Sequence, residues 1–220
     1  MDTAPLIGQT AIVTGAGRGI GAACALALAD AGADLALMAR SADELEAVAS
    51  SARASGHGVT VLPCDITDPA QVAAAVATLA RVDILVNNAG TDRPTAFLDV
   101  TPEILEELLA VNVKGTFFMS QAVVRKMKAG NHGGSIVNMS SQLGLVGSGY
   151  ETAYCAAKFG VEGLTRSMAI EGIAFRSTAA EPRPIEPLTL TRAELWRRMP
   201  LSSTRVWSGE RPRRVAGRTV

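Results

Sequence analysis

Three side chains of types that can transfer a proton lie close together between residues 141 and 158. Tyr154 and Lys158 are four residues apart, and Ser141 lies thirteen residues before Tyr154. On an α-helix, positions i and i+4 share a face, so the Lys158 ammonium can lie beside the Tyr154 phenol. A cation within about 6 Å lowers the phenol pKa from its usual value of about 10, which favours proton exchange with a substrate oxygen near neutral pH. Ser141 could hold that oxygen. The alternative for the Tyr154/Lys158 pair is an ordinary solvated helix face, where such pairs are common.

A glycine-rich segment near the N-terminus indicates a nucleotide site. Residues 10–16 have the pattern of an apolar strand that runs into a turn, and an Ala- and Leu-rich helix, Ile20–Ala31, follows. A turn of this kind places backbone N–H groups and the positive end of the helix against a diphosphate. The predicted diphosphate-binding residues are Gly15, Gly17, Arg18, Gly19, Ile20 and Gly21.

Strand-like and helix-like patterns alternate along the chain. The predicted strands are short apolar runs, as in strands buried on both faces, namely Thr10–Thr14, Asp34–Met38, Val59–Pro63, Asp83–Val86 and Ser135–Met139. The predicted helices are Ile20–Ala31, Ala42–Ala54, one that starts at Asp68-Pro69, one from Thr101-Pro102 toward Lys128, and Thr152–Glu171. Five such units predict an α/β fold with a doubly wound parallel sheet.

Glycine and polar segments follow these strands directly. Ligands of doubly wound sheets bind at the carboxyl ends of the strands, so these segments are expected to share one site. They are Gly15–Gly21, Arg40, Asp65, Asn87–Gly90 and Ser140–Ser141. Asp65 could accept a hydrogen bond from an adenine amino group or act as a surface or N-cap residue of its loop. The small residues of Asn87–Gly90 could let a cofactor pass while its Asn side chains hold adjacent strands. The segment could also be an ordinary strand-end turn.

Composition narrows the class of protein. The chain has 220 residues, of which 48% are hydrophobic, which suits a single domain with a substantial core. No apolar run reaches the ~18 residues of a membrane span, and Met1–Gln9 does not resemble a signal peptide, so a cytoplasmic protein is expected. Three cysteines without a paired pattern are expected to be reduced, and two histidines cannot assemble a metal cluster.

Charge and proline content change sharply near residue 172. The net charge of the chain is zero, but residues 172–220 contain ten arginines and only four glutamates. We therefore expect residues 1–171 to form the dinucleotide-binding and catalytic core, and residues 172–220 to be a divergent Arg/Pro-rich segment of the same domain. The segment lacks the aromatic and basic pattern of a nucleic-acid site, so no nucleic-acid partner is predicted.

The motifs together resemble the short-chain dehydrogenases/reductases, in particular the 3-oxoacyl-carrier-protein reductase-like members and the sugar or polyol dehydrogenase-like members, between which the sequence does not choose. The resemblance covers about residues 5–171 and rests on five features, namely Thr14–Gly21, Asn87–Gly90, Asn112, Ser141 and the Tyr154-x-x-x-Lys158 pair. It implies a single Rossmann-like domain and an NAD(P)-dependent oxidoreductase. The reaction would transfer a hydride between the cofactor and a carbonyl or secondary alcohol of a small molecule. A homodimer or homotetramer is also expected.

The resemblance implies a role for each matching residue. Tyr154 would be the general acid/base, Lys158 would lower its pKa and hold the nicotinamide ribose, and Ser141 would position the substrate oxygen. Asn112 would support a water that links Lys158 to solvent, although an Asn in a helix can simply bond to a local carbonyl. The cofactor-binding residues would be those of the glycine turn with Arg40, Asp65, Ile66, Asn87, Ala89, Gly90, Tyr154 and Lys158.

The end of the second strand bears on the choice between NADP and NAD. An acidic residue there would bind the ribose 2′-OH of NAD, whereas an arginine suits the 2′-phosphate of NADP. The acidic position holds Ala39, Arg40 follows it, and Arg18 lies within the glycine turn. Two guanidinium groups can clamp a phosphate, so NADP is predicted and NAD is the alternative.

The tail departs from the pattern of the family. Glu181 and Arg183 stand where the family has an apolar residue and a glycine. No closing strand is predicted in the tail, and its absence would expose a sheet edge. We expect the tail to be the least ordered part of the chain and to limit turnover. The alternative to an active enzyme is therefore a truncated, non-catalytic relative that still binds a nucleotide.

Overall fold

Five parallel strands form one sheet in the computed structural model, which describes residues 5–54 and 56–171. The strands are β1 (Thr10–Thr14), β2 (Asp34–Ala39), β3 (Val59–Pro63), β4 (Ile84–Asn87) and β5 (Ser135–Asn138). Their order is β3-β2-β1-β4-β5, and every neighbouring pair is parallel. The chain thus proceeds outward to β3 and then returns past β1 to β4. This reversal creates a crevice at the carboxyl ends of β1 and β4.

Helices cover both faces of the sheet. They are α1 (Gly19–Asp30), α2 (Ala42–Ala54), α3 (Pro69–Ala77), α4 (Pro102–Leu109), α5 (Thr116–Ala129) and α6 (Thr152–Ile170). Neighbouring residues of one strand enter different cores. Val13 packs in a cluster with the buried residues of α1 and α2, whereas Ile12 packs with those of α3 and α5. The prediction of a doubly wound parallel sheet is therefore confirmed.

Local sequence signals determine where two of the helices start. The Asp68 carboxylate accepts hydrogen bonds from Ala70 N (2.8 Å) and Gln71 N (3.2 Å), and Pro69 occupies the first turn of α3. Thr101 caps α4 in the same way, through Ile104 N at 3.4 Å. Such caps satisfy backbone N–H groups that have no partner within the helix.

The helix predicted from Thr101-Pro102 toward Lys128 is interrupted. Residues Ala110–Gly115 form a π-helical segment between α4 and α5. Asn112 lies in this segment, with its side chain directed away from the helix axis to the backbone of Thr91. A π-helical turn re-aims side chains and is frequent at functional sites. Apolar periodicity alone could not predict this π-helical turn, because the one residue that it has beyond an α-helical turn leaves the apolar pattern unbroken.

The predictions made for the tail concern residues that the structure does not describe. They are the expected absence of a closing strand, the expected effects of Glu181 and Arg183, and the expected low order beyond about Gly172. The division into residues 1–171 and 172–220 likewise remains a prediction. Of the described helices, none is both long and apolar enough to cross a membrane.

Candidate active site

A cleft of about 860 Å³ opens at the carboxyl ends of the first four strands. Its walls come from the segments that directly follow these strands and from the π-helical segment. Nine of the predicted cofactor-binding residues line it, namely Gly15, Gly17, Arg18, Ile20, Arg40, Asp65, Ile66, Ala89 and Gly90. The tertiary structure therefore brings together residues that are 75 positions apart in the chain.

Close backbone packing explains the glycines of the turn after β1. A Cβ atom on Gly21 would lie 2.1 Å from the carbonyl oxygen of Gly15, and one on Gly15 would lie 2.9 Å from Ala89 Cα. Gly15 also has a φ of +63°, a conformation that L side chains rarely adopt. Gly21 thus lets α1 start against the turn. Gly19 and Gly21 do not line the cleft, and Gly21 contributes through its close packing against the backbone of the turn.

A hydrogen-bond network connects this turn to the end of β4. Thr14 Oγ1 accepts from Asn88 N and Ala89 N, both at 3.0 Å. The Asn88 side-chain amide donates to Thr14 O at 3.0 Å and to Gly15 O at 3.3 Å. The network fixes the width of the crevice between β1 and β4. Asn88 was not among the predicted cofactor-binding residues, and its bonds to Thr14 and Gly15 agree with the expectation that the Asn side chains of this segment hold adjacent strands.

Asn87 lies at the end of β4 but does not line the cleft. Its side-chain amide donates to Ser120 Oγ on α5 and to Asn138 Oδ1 on β5, each at 2.9 Å. It therefore joins three elements below the site floor. This arrangement supports the prediction that the Asn side chains hold adjacent strands, and it assigns Asn87 a positioning role.

Asp65 lies in the cleft wall and also takes part in the hydrogen bonds of its own loop. It lines the cleft after β3, and its Oδ1 accepts hydrogen bonds from Thr67 N at 2.9 Å and Thr67 Oγ1 at 2.8 Å. The N-cap of α3 is Asp68, not Asp65. One carboxylate oxygen of Asp65 is thus engaged in its own loop. Ile66 is buried and contacts the π-helical segment near Gly115.

A carboxylate lies next to the predicted phosphate clamp. Glu44, in the first turn of α2, accepts a hydrogen bond from the Arg18 guanidinium at 3.4 Å. Both residues line the cleft together with Ala39 and Arg40. Sequence reasoning missed Glu44. The signal was the Ser41-x-x-Glu44 pattern that opens α2, which predicts a capping box but not an ion pair across the cleft.

The π-helical segment places Asn112 against the wall of the cleft near β4. Asn112 is buried, and its amide group donates to Thr91 O at 2.8 Å and to Leu108 O at 2.9 Å. Its Oδ1 accepts from Thr91 N at 3.3 Å. An added Cβ on Gly90 would lie 2.8 Å from that oxygen and 3.6 Å from Lys158 Nζ. Asn112, Gly90 and Lys158 therefore meet at one point, and the bond to a local carbonyl is also present.

Lys158 is a buried cation beside Tyr154 on α6. Its side chain donates from Nζ to Met139 O at 2.9 Å, and Nζ lies 5.5 Å from the centre of the Tyr154 ring. The residue is only 5% exposed. Burial lowers the pKa of Lys158, and the negative charge of Asp92 raises it. The predicted i,i+4 pair is thus a pair in space.

The pKa of Tyr154 is raised, whereas the sequence predicted a lower value from Lys158 alone. Burial of the phenol is the largest cause of the raised pKa, the Ser141 side chain lowers it by hydrogen bonding, and the charges of Asp92 and Glu151 raise it further. Burial and the nearby negative charges disfavour the phenolate more strongly than the Ser141 hydrogen bond stabilises it. Ser141 also caps a short 3₁₀ turn by accepting from Leu143 N at 3.1 Å.

Two acidic residues near Tyr154 had no predicted role. Burial raises the pKa of the Glu151 carboxyl group, and the nearby carboxylate of Asp92 raises it further. Glu151 Oε2 is buried without a hydrogen-bond partner. Their two loops are joined by a hydrogen bond from Thr95 N to Tyr150 O at 2.7 Å. Sequence could not pair these loops, because they are more than 50 residues apart.

The fold and the cleft together define a dinucleotide-binding α/β protein. In residues 5–54 and 56–171, no group of three or more His, Cys, Asp or Glu side chains could hold a metal ion. The family model of short chain dehydrogenases matches residues 9–186. The chain therefore belongs to the short-chain dehydrogenase/reductase family, whose members are NAD(P)-dependent oxidoreductases.

Relatives of known function are similar over the described core. A sorbitol dehydrogenase of Cereibacter sphaeroides is 42% identical over 167 residues, which cover 74% of this chain and 64% of the relative. A D-threitol dehydrogenase of Mycolicibacterium smegmatis is 42% identical over 171 residues, covering 76% of this chain and 65% of the relative. The match thus spans slightly less than two thirds of the length of these relatives.

Solved structures show the same fold. A metagenomic short-chain oxidoreductase in complex with NADP has a TM-score of 0.72 and 37% identity, covering 76% of this chain and 77% of the other. A gluconate 5-dehydrogenase of Burkholderia cenocepacia in complex with NADP and tartrate has a TM-score of 0.73 and 34% identity, covering 79% and 69%.

Proposed function

We propose that the protein transfers a hydride between NADP(H) and a carbonyl or secondary alcohol, with Tyr154 as general acid/base. The observation that carries the proposal is the meeting of Lys158, Tyr154 and Ser141 next to Gly90, at the end of a cleft with glycine-turn walls. The residues present fit a dinucleotide. A Cβ at Gly15 or Gly21 would collide with backbone, so the turn stays narrow enough for close approach.

The bound nicotinamide would supply or accept the hydride, and the chain would manage the proton. In reduction, the Tyr154 phenol donates its proton to the carbonyl oxygen, while the Ser141 hydroxyl donates a hydrogen bond to the same oxygen. In oxidation, Tyr154 accepts the proton of the alcohol. Lys158 holds positive charge beside the phenol, which favours the phenolate that forms after donation.

Asn112 acts as a positioning residue in this proposal. Its bonds to the Thr91 backbone and to Leu108 O hold the π-helical segment against the loop after β4. That loop contains Gly90, which borders Lys158 Nζ. The arrangement keeps the lysine close to the cleft, and it fits the water-linked role that the family resemblance implies for Asn112.

NADP rather than NAD is the proposed cofactor. Arg18 and Arg40 line one end of the cleft, and Ala39 leaves out the carboxylate that would bind a ribose 2′-OH. The two solved structures that contain NADP support this choice. We expect Arg40→Ala to reduce the preference for NADP, by about 1–3 kcal/mol in binding free energy.

A small alcohol or carbonyl compound is the proposed substrate. The relatives named above are dehydrogenases of sorbitol and D-threitol, which are polyols. We further propose a cytoplasmic protein that assembles as a homodimer or homotetramer, with residues 1–171 as its binding and catalytic core.

The test is a cofactor titration followed by a substrate panel. Purified full-length protein is titrated with NADPH, and turnover is then measured on polyols with NADP⁺ and on simple ketones with NADPH. Binding together with turnover supports the enzyme. Binding without turnover on any member of the panel favours the non-catalytic relative, and no binding refutes both.

A further inference from the structure

Arg18 and Arg40 mark the end of the cleft where the adenosine ribose of the proposed cofactor would bind, and Glu44 adds a carboxylate there. Glu44 Oε1 lies 3.4 Å from the Arg18 guanidinium, and Arg40 lines the same part of the cleft. We propose that Glu44 is a selectivity residue that competes with the 2′-phosphate of NADP for Arg18 and so weakens the preference for NADP over NAD. This inference rests on the proposed function, because it assumes that a dinucleotide occupies the cleft.

The packing of α2 keeps Glu44 beside the glycine turn. Ser41 Oγ accepts a hydrogen bond from Glu44 N at 3.3 Å and thereby caps the start of α2. A Cβ added to Gly17 would lie 2.8 Å from Glu44 Cβ and 3.0 Å from Glu44 Oε2. The side chain therefore lies across Gly17, and its carboxylate reaches Arg18 instead of closing a capping box with Ser41.

The charge of Glu44 acts differently on the two cofactors. A 2′-phosphate carries negative charge, so a nearby carboxylate repels it and also occupies the guanidinium that would bind it. The 2′-hydroxyl of NAD is neutral and can donate a hydrogen bond to a carboxylate. Glu44 therefore opposes NADP and leaves NAD unaffected or favoured.

The ion pair is too exposed to exclude NADP. The side chains of Arg18 and Glu44 are 83% and 43% exposed, and pairs of this kind are weak because water screens them. A phosphate can therefore displace the carboxylate from Arg18. The expected result is a protein that binds both cofactors, with a smaller NADP preference than Arg18 and Arg40 alone would give.

The experiment compares Glu44→Gln with a matched control on the same helix. Glu46 also forms an ion pair within α2, with Arg53, but it does not line the cleft. Dissociation constants of the full chain for NADPH and NADH are measured by fluorescence titration for the wild type, Glu44→Gln and Glu46→Gln. Thermal melts of each variant confirm folding.

We expect Glu44→Gln to tighten NADPH binding about three- to tenfold, the range of a weak exposed ion pair plus repulsion of a phosphate. NADH binding should weaken or change by less than about twofold, and Glu46→Gln should change neither constant. Unchanged or weaker NADPH binding in Glu44→Gln would overturn the proposal, as would equal tightening of NADH.

A second probe separates this proposal from hydride transfer. Adenosine 2′,5′-bisphosphate and AMP report the 2′-phosphate alone, since neither contains a nicotinamide. If Glu44→Gln tightens the bisphosphate and not AMP while turnover is absent, the selectivity role stands and the proposed enzyme activity fails. If both bind equally in both proteins, the selectivity role fails whatever the turnover.

Discussion

Replacement of Tyr154 by Phe tests the proton-transfer chemistry directly. The substitution removes one hydroxyl group and retains the ring, which lies 5.5 Å from Nζ of Lys158 on the same helix. Lys158 and the glycine turn are unchanged, and only one hydroxyl group is lost, so the binding of NADPH should change by less than about threefold. Since general acid–base catalysis contributes roughly 10²–10⁴-fold, turnover should fall by that factor.

The pH profile of the wild type adds a check on the same group. Burial raises the pKa of Tyr154 above its ordinary value of 10.0, so the phenol stays protonated through neutral pH in the free protein. Carbonyl reduction needs the phenol and should therefore be nearly independent of pH around neutrality, then fall at alkaline pH. Alcohol oxidation needs the phenolate and should rise as the pH increases.

The assay measures single turnovers at saturating NADPH, and Tyr150→Phe provides the matched control. Tyr150 is the other tyrosine of the chain; it lies four residues before Tyr154, and its side chain is exposed. Tyr150→Phe should keep turnover within about threefold of the wild type, because its side chain is exposed and has no role in the proposed proton transfer. A Tyr154→Phe protein that keeps more than about a tenth of the wild-type rate would refute the assignment.

Three further perturbations follow from the geometry. Asp92→Asn removes a charge that raises the pKa of both Tyr154 and Lys158. The alkaline limb of the pH profile for reduction should therefore move to lower pH, by less than about one unit because Asp92 is exposed. A shift to higher pH would contradict this prediction. Gly21→Ala places a Cβ 2.1 Å from a backbone oxygen and should lower the free energy of unfolding in urea by about 1–3 kcal/mol. Gly163→Ala, which has open space on α6, should raise it by up to about 1 kcal/mol. Equal effects of the two substitutions would disprove the packing argument. Burial lowers the pKa of Lys158, so the charged side chain opposes folding at pH values below that pKa. Lys158→Met should therefore raise the Tm at pH 7 and suppress turnover. A lower Tm would show that the hydrogen bond from Lys158 to Met139 O dominates.

The sequence was sufficient to predict the fold. The strands are short apolar runs between helices with clear start signals, such as Asp68-Pro69 and Thr101-Pro102, so periodicity and capping locate the elements. Parallel strands then bring their carboxyl ends to one edge. For that reason, residues as distant as Gly15 and Gly90 could be assigned to the same site, and the structure places both in the cleft wall.

Side-chain partners within the site depended on the tertiary structure. Asn87 and Asn88 are neighbours with similar local signals, yet Asn87 bonds to α5 and β5 below the floor, whereas Asn88 bonds to the glycine turn. Their different roles follow from the alternation of side chains along a strand end, together with which element packs on each face. Neither can be deduced from residue type.

Electrostatics was the property least accessible from the sequence. The spacing of Tyr154 and Lys158 established their adjacency, because the i,i+4 geometry is local to one helix. The direction of the Tyr154 pKa shift depended on burial and on Asp92 and Glu151, which approach from separate segments. The pairing of Glu44 with Arg18 likewise joins the start of α2 to the turn before α1. The sequence by itself therefore determined which chemical groups are available and on which edge of the sheet they lie, and only the tertiary structure decided their partners and burial, since both depend on contacts between distant segments.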